Sequence, residues 1–295
     1  MSETTLKAET ARRVKKRHGS PNSQMTPLMW VAVIILLIYF VLIAYPLFWM
    51  IINSLKTHKE IYKDIWGLPS QLMFSNYAQA WKYGISNYFL NSVIVTGFTI
   101  LGVLAISSLA AYSLSRFRFK GSGFIFMLCM GGMMLSPQVT LIPLYKILQA
   151  IHIHDTYLAM IIPYAAYRIP ISIMLIRSFF LTIPKELEES ATLDGCSSMG
   201  VFTRIFLPMS KPILLTCTIL TAYYAWNEFL YAIIFINSEK YKTIPAGLMN
   251  LRDALLTDWG ILLAGMVISS LPLIIIFLAM QKQFIRGMTA GAVKG

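Results

Sequence analysis

Residues 184–208 read PKELEESATLDGCSSMGVFTRIFLP. The stretch is polar, lies between two apolar ones, and holds four of the chain's 13 acids, Glu186, Glu188, Glu189 and Asp194. Local chemistry predicts its shape. Pro184 suits a first helical turn, where its missing N–H is not needed. The glutamates follow at once, at the positive end of the helix dipole. Gly195 ends that helix, because glycine takes the left-handed cap without steric cost. Ser197 or Ser198 can cap a second helix, and Pro208 stops it. The expectation is two short helices joined by a glycine elbow, followed by a return into apolar sequence.

The flanks are apolar because most of the chain is. Hydrophobic residues make up 57% of it and charged residues 13%, and the mean hydropathy is +0.64. Soluble domains carry about a quarter charged residues, so this composition indicates an integral membrane protein. The net charge of +12 invites a nucleic-acid reading. Its positive residues lie mostly at the edges of apolar runs and in the first twenty residues, a pattern that lipid topology explains better. Cys129, Cys196 and Cys217 lie far apart, with neither disulfide nor zinc spacing. His152 and His154 flank one isoleucine in a short loop and read as solvated residues.

Working outward, six runs are long enough for a bilayer needing about 20 apolar residues: 27–51, 89–114, 123–144, 156–179, 213–236 and 260–280. Residues 1–24 read as a basic arm, and 25–295 as one six-span domain with a core at about 88–285 and a tail at 281–295. Residues 53–88 read as a polar loop. The second run is rich in Gly, Ala and Ser, which let helices approach closely in lipid. The third is interrupted at Ser136, Pro137 and Gln138, and the fourth carries Pro163 and Pro170. Such breaks need neighbours or water to satisfy the freed backbone.

Six spans put both termini on one side. That side, with the turn at Arg116 and the 184–208 loop, collects sixteen Lys and Arg against eight on the other, with Arg168 inside a span. The bias predicts cytoplasmic termini and a cytoplasmic loop in the cell membrane.

The residues Glu189, Ala191, Asp194 and Gly195, then Ile205, Leu207 and Pro208, resemble the Glu-Ala-Ala loop of ABC importer permeases. Asn91 and Ser92, residues 142–145 and 177–188, the run 226–229 and the tail 287–295 are similar to the carbohydrate branch. The resemblance covers the chain from about residue 27 onward. Ser190 and Cys196 depart from the usual alanines but are equally small. It implies an all-α, type I ABC importer permease with a cytoplasmic coupling helix, in which Glu188, Glu189, Ala191, Asp194, Gly195, Ile205, Leu207 and Pro208 meet a separate ATPase. It also implies the partners: a second permease, two ATPase subunits that bind ATP and magnesium, and a substrate-binding protein outside. Transport of a sugar or oligosaccharide by alternating access follows.

The chain offers no chemistry of its own for the energy step. Gly195 to Gly200 has phosphate-loop spacing, but Val201 and Phe202 follow where Lys and Ser or Thr are needed. No paired carboxylates, triad or metal motif suggests an enzyme, so no cofactor is expected. Polar groups inside spans are costly and mark function by default. Tyr224, Asn227 and Glu228 suit a sugar path, with rings for apolar sugar faces and an amide and acid for hydroxyls; helix packing is the plainer role. Arg168 reads either as a contact for solute or an acidic partner, or as a residue snorkelling to water. Gln138 is a further path candidate. An ion-coupled transporter needs buried relay acids, and only Glu228 qualifies. A permease for a non-sugar solute is the other alternative.

Overall fold

The structure, a computed structural model, describes residues 27–254 and 258–292. The expected arm at 1–24 and residues 293–295 of the expected tail lie outside the described residues. The described residues divide into two compact units, one ending at Met50 and the other beginning at Ile51. Among the described residues every regular element is helical. The first is α1, Pro27–Ser54, with Pro46 inside it.

The segment expected as a polar loop is largely helical. α2 covers His58–Lys63, with Thr57 accepting a cap bond from the Glu60 N–H. α3 is Ser75–Ala80, and a wide turn at Trp81–Ile85 leads directly into α4, Ser86–Arg116. Gly84 takes φ 117 there. Hydropathy misses these turns because their helical residues are polar. Their packing is specific: the buried Asn76 amide donates to the carbonyls of Ser54 and Lys56, both at 2.9 Å.

α5, Ser122–Gly132, and α6, Pro137–Ala150, form the interrupted third span and bend by 102°. Pro137 opens α6, where its ring fits and its missing N–H leaves nothing unpaired. α7 is Leu158–Phe180. Then come α8, Lys185–Leu193, and α9, Ser198–Met209. The latter meets α10, Lys211–Asn227, at 75°. α11 is Leu230–Phe235, α12 is Ile244–Ala254, and α13 is Trp259–Ala292. The backbone of α13 thus runs past the expected end of the sixth span at 280.

Four helical segments are long and apolar enough to cross a membrane: α1, the continuous Ser75–Arg116, α7, and α13 through Ala279. The two bent pairs bring the number to six. The expected fifth run at 213–236 is not one helix. It breaks after Asn227, where Glu228 is extended at φ −68 and ψ 123.

α4 and α7 share the longest contact in the second unit. Ser107, Ser108 and Ala111 are buried on α4, and the Ser107 hydroxyl donates to the Ile169 carbonyl of α7 at 3.3 Å. Gly97 and Gly102, from the same small-residue run, face open space instead. Trp226 of α10 donates to the Ser269 carbonyl of α13 at 3.0 Å. These contacts fix two places that hold the candidate residues: the C-terminal ends of α4 and α7 around α8, and the wall between α7 and α10.

Candidate functional site

The acidic loop is a built corner. Pro184 precedes the first helical residue, at ψ 141, so it caps α8 from outside and does not occupy its first turn. Gly195 takes φ 82. Its N–H donates to the Thr192 carbonyl at 3.0 Å, and the Cys196 N–H reaches the Ala191 carbonyl at 2.9 Å. This pair of bonds is the left-handed helix ending that glycine favours. It also accounts for small residues at Ala191 and Cys196, which pack together against the cluster beneath. A Cβ on Gly195 would meet no atom, so the requirement there is conformational and not steric.

Ser197 then caps α9, accepting from the Gly200 N–H at 3.2 Å. Pro208 does not stop that helix. It lies one residue from the end of α9, and the bend follows at Ser210. Proline cannot donate to the carbonyl four residues back and crowds it. The preceding turn, Phe202–Phe206, widens to accommodate it.

The corner is seated on Tyr112, Ile176, Phe180, Phe202 and Phe206, with Ile205 and Leu207 packed against them. Glu189 and Asp194 are exposed, and Leu193 is 89% exposed. Glu188 faces inward, toward Arg116, the last residue of α4. One Arg116 nitrogen donates to the carbonyls of Phe180 at 2.8 Å and Ile183 at 2.7 Å, at the end of α7. Its Nε lies 3.5 Å from a Glu188 oxygen, too far for a strong hydrogen bond. Its guanidinium stands 4.7 Å over the Phe206 ring. The Tyr112 hydroxyl donates to the Ser198 carbonyl at 3.2 Å. Arg116 therefore joins α4, α7, α8 and α9. In the sequence Arg116 is one positive charge among the sixteen on its side. Its position at a helix end, next to an acidic loop in the fold, could not be seen from spacing.

The second place is a cavity of about 450 Å³ lined by Arg168, Tyr223, Tyr224, Asn227, Glu228 and their apolar neighbours. Four of the five path candidates meet there. Gln138 does not line it; it is exposed and pairs with Ser136. Within this group Glu228 has a structural duty. Its carboxylate accepts from the Tyr164 hydroxyl at 2.6 Å, the Tyr231 N–H at 3.0 Å and the Ala232 N–H at 3.3 Å. It thus satisfies the open amides at the start of α11. Asn227 donates to the Tyr223 carbonyl one turn earlier, at 2.8 Å. Among the described residues no group of His, Cys, Asp and Glu is arranged to hold a metal ion.

The profile of the binding-protein-dependent transport system inner membrane component family matches residues 102–290. A probable ABC transporter permease protein of Bacillus subtilis, YurM, is 59% identical over 262 residues, 89% of this chain and 87% of that protein. The arabinooligosaccharides transport system permease protein AraQ of the same organism is 35% identical over 256 residues, 85% of this chain and 90% of its own. The fold is shared with a bacterial ABC transporter involved in the import of the acidic polysaccharide alginate, at a TM-score of 0.78 and 23% identity over 90% of this chain and 100% of that one.

Proposed function

The chain belongs to the family of binding-protein-dependent transport system inner membrane components, and on that premise we propose how it works as a permease subunit of an ATP-driven sugar importer. Its solute is a sugar or oligosaccharide. A sister permease completes the path, a binding protein outside delivers the solute, and two ATPase subunits bind ATP and magnesium. The termini and the 184–208 corner face the cytoplasm.

One observation carries the reading. The exposed acidic helix α8 is not a loose loop but a corner held at its base, where Arg116 of α4 grips the Phe180 and Ile183 carbonyls just before it and the corner packs on the cluster around Tyr112 and Phe206. Glu189, Asp194 and Leu193 present acid and apolar surface outward, as a docking edge for a separate motor requires. A push on α8 reaches both long helices through a buried guanidinium. ATP closes the motor and draws the corners together, and the spans open outward to take the solute. Hydrolysis resets them inward. The residues of the α7–α10 wall line the route, with Tyr224 and Asn227 as solute contacts and Glu228 as the cap that keeps the broken span open.

Glu189→Lys tests the docking edge. It reverses charge on an exposed side chain, so insertion of the chain is expected to be normal. Co-purification of the ATPase from membranes is expected to fall roughly tenfold or more, the equivalent of one lost charge-assisted contact. Undiminished co-purification would count against the role of α8. Uptake should also stop on ATP depletion and survive proton and sodium ionophores.

A further inference from the structure

Arg168 is the eleventh of the 23 residues of α7, about 15 Å along the helix at 1.5 Å per residue. A guanidinium at that depth needs an opposite charge or water. Among the described residues no carboxylate forms an ion pair with it. Its Nε is buried without a hydrogen-bond partner. Behind it lies the Tyr224 ring, 5.5 Å from the guanidinium, held by stacking on Tyr167 at 5.2 Å and 20°. The acid on the same wall, Glu228, is committed to Tyr164 and to the amides of α11. The cavity thus presents a positioned cation with unfilled donors beside the exposed ring of Tyr223 and the Asn227 amide.

We propose that this cavity is a subsite for the acid group of a sugar bearing one carboxylate, such as a uronate-terminated disaccharide. The proposal rests on the sugar-permease reading above and names its solute class. A guanidinium fork matches a planar carboxylate, and the tyrosine rings suit the apolar faces of a pyranose. A single charge is favoured over a dianion because the Glu228 carboxylate lies on the same wall. The volume falls within the roughly 300–1,000 Å³ usual for small-molecule sites.

The test uses the intact importer in cells that express it, with carbon-14-labelled disaccharide pairs: glucuronate- or galacturonate-terminated sugars, each beside its neutral parent. Wild type is expected to import at least one acidic member. Arg168→Gln should slow that import roughly 10- to 100-fold, the range for a charged hydrogen bond, and slow the neutral parent much less, so that the ratio of acidic to neutral uptake falls at least about tenfold. Arg168→Lys keeps the charge without the fork, so it should insert normally and fall between the two. Failure of wild type to import any acidic member, equal slowing of both members in Arg168→Lys, or loss of the sister permease on purification of Arg168→Gln would each overturn the subsite. The last would assign Arg168 to a carboxylate of the sister chain. All three leave the importer reading standing. Import that persists after deletion of this chain would sink the importer reading itself.

Discussion

Arg116 is 4% exposed as a side chain and Glu188 is 26% exposed, and this asymmetry decides which of the two matters. The 3.5 Å pair is partly in solvent and worth less than about 1 kcal/mol. The bonds to the Phe180 and Ile183 carbonyls are shorter, are charge-assisted, and have no substitute donor. Arg116→Lys offers a single ammonium in place of the fork. It is expected to insert and bind the ATPase, yet to lower uptake per ATP hydrolysed by roughly tenfold, the equivalent of about 1.5 kcal/mol. Glu188→Gln should lower it less than about threefold. Parallel measurement of ATP hydrolysis and uptake in proteoliposomes checks the ratio, and equal effects of the two variants would place the coupling in the ion pair instead.

At the scale of elements, the turn before α12 is fastened by side chains far from it in sequence. Asn91 donates to the Lys240 and Lys242 carbonyls at 2.9 and 2.8 Å and accepts from the Tyr157 hydroxyl at 2.6 Å. Ser92 accepts from the Ile244 N–H at 2.9 Å. A second fastening is Asp155, whose carboxylate accepts from the Asn237 and Ser238 N–H groups, both at 2.9 Å, and from the Ser238 hydroxyl. Burial alone would raise that carboxyl; the bonds from Ser238 and Asn237, with His154 nearby, outweigh it and hold it below the usual aspartate value. A depressed folded value means the contribution is present above about pH 4, the unfolded value, and is lost as pH falls through the lower folded one. Thermal unfolding in detergent should therefore show wild type losing more stability than Asp155→Asn between about pH 5 and pH 2, and identical slopes would remove the fastening. Neither clasp was legible as such. Asn91 and Ser92 stood out only by resemblance, and Asp155 not at all, because hydrogen bonds across 80 to 150 residues leave no local spacing. The corner at α8 was legible at its caps, Gly195 and Ser197, because these are local chemistry, while Pro184 and Pro208 each fall one residue away from their expected roles. The break at Glu228 was not: one acid in an apolar run reads as a buried group, and only the fold shows it capping α11.

For the whole molecule, the way the chain faces the membrane decides whether α8 can meet a motor at all. The six passes follow from apolar length, and the two bent pairs are needed to reach that number. An even number returns the chain to its starting side, so one label on one loop assigns every loop. The chain carries its own probe. Cys196 is partly exposed at the elbow, while Cys217 is buried. Replacing Cys129 and Cys217 with serine leaves a single thiol beside Gly195, at a position whose helix ending depends on a backbone N–H and not on the side chain. The Lys and Arg bias predicts that this thiol is inside. A membrane-impermeant maleimide is therefore expected to label Cys196 in inverted vesicles and to leave it untouched in intact cells. Lys240→Cys in a variant without the other cysteines should behave the opposite way, because Lys240 is exposed on the loop before α12. Adding the ATPase to inverted vesicles should slow the labelling of Cys196 and leave Lys240→Cys unaffected. Labelling of Cys196 from outside would invert the molecule, and α8 could then not meet a cytoplasmic motor however well its corner is built.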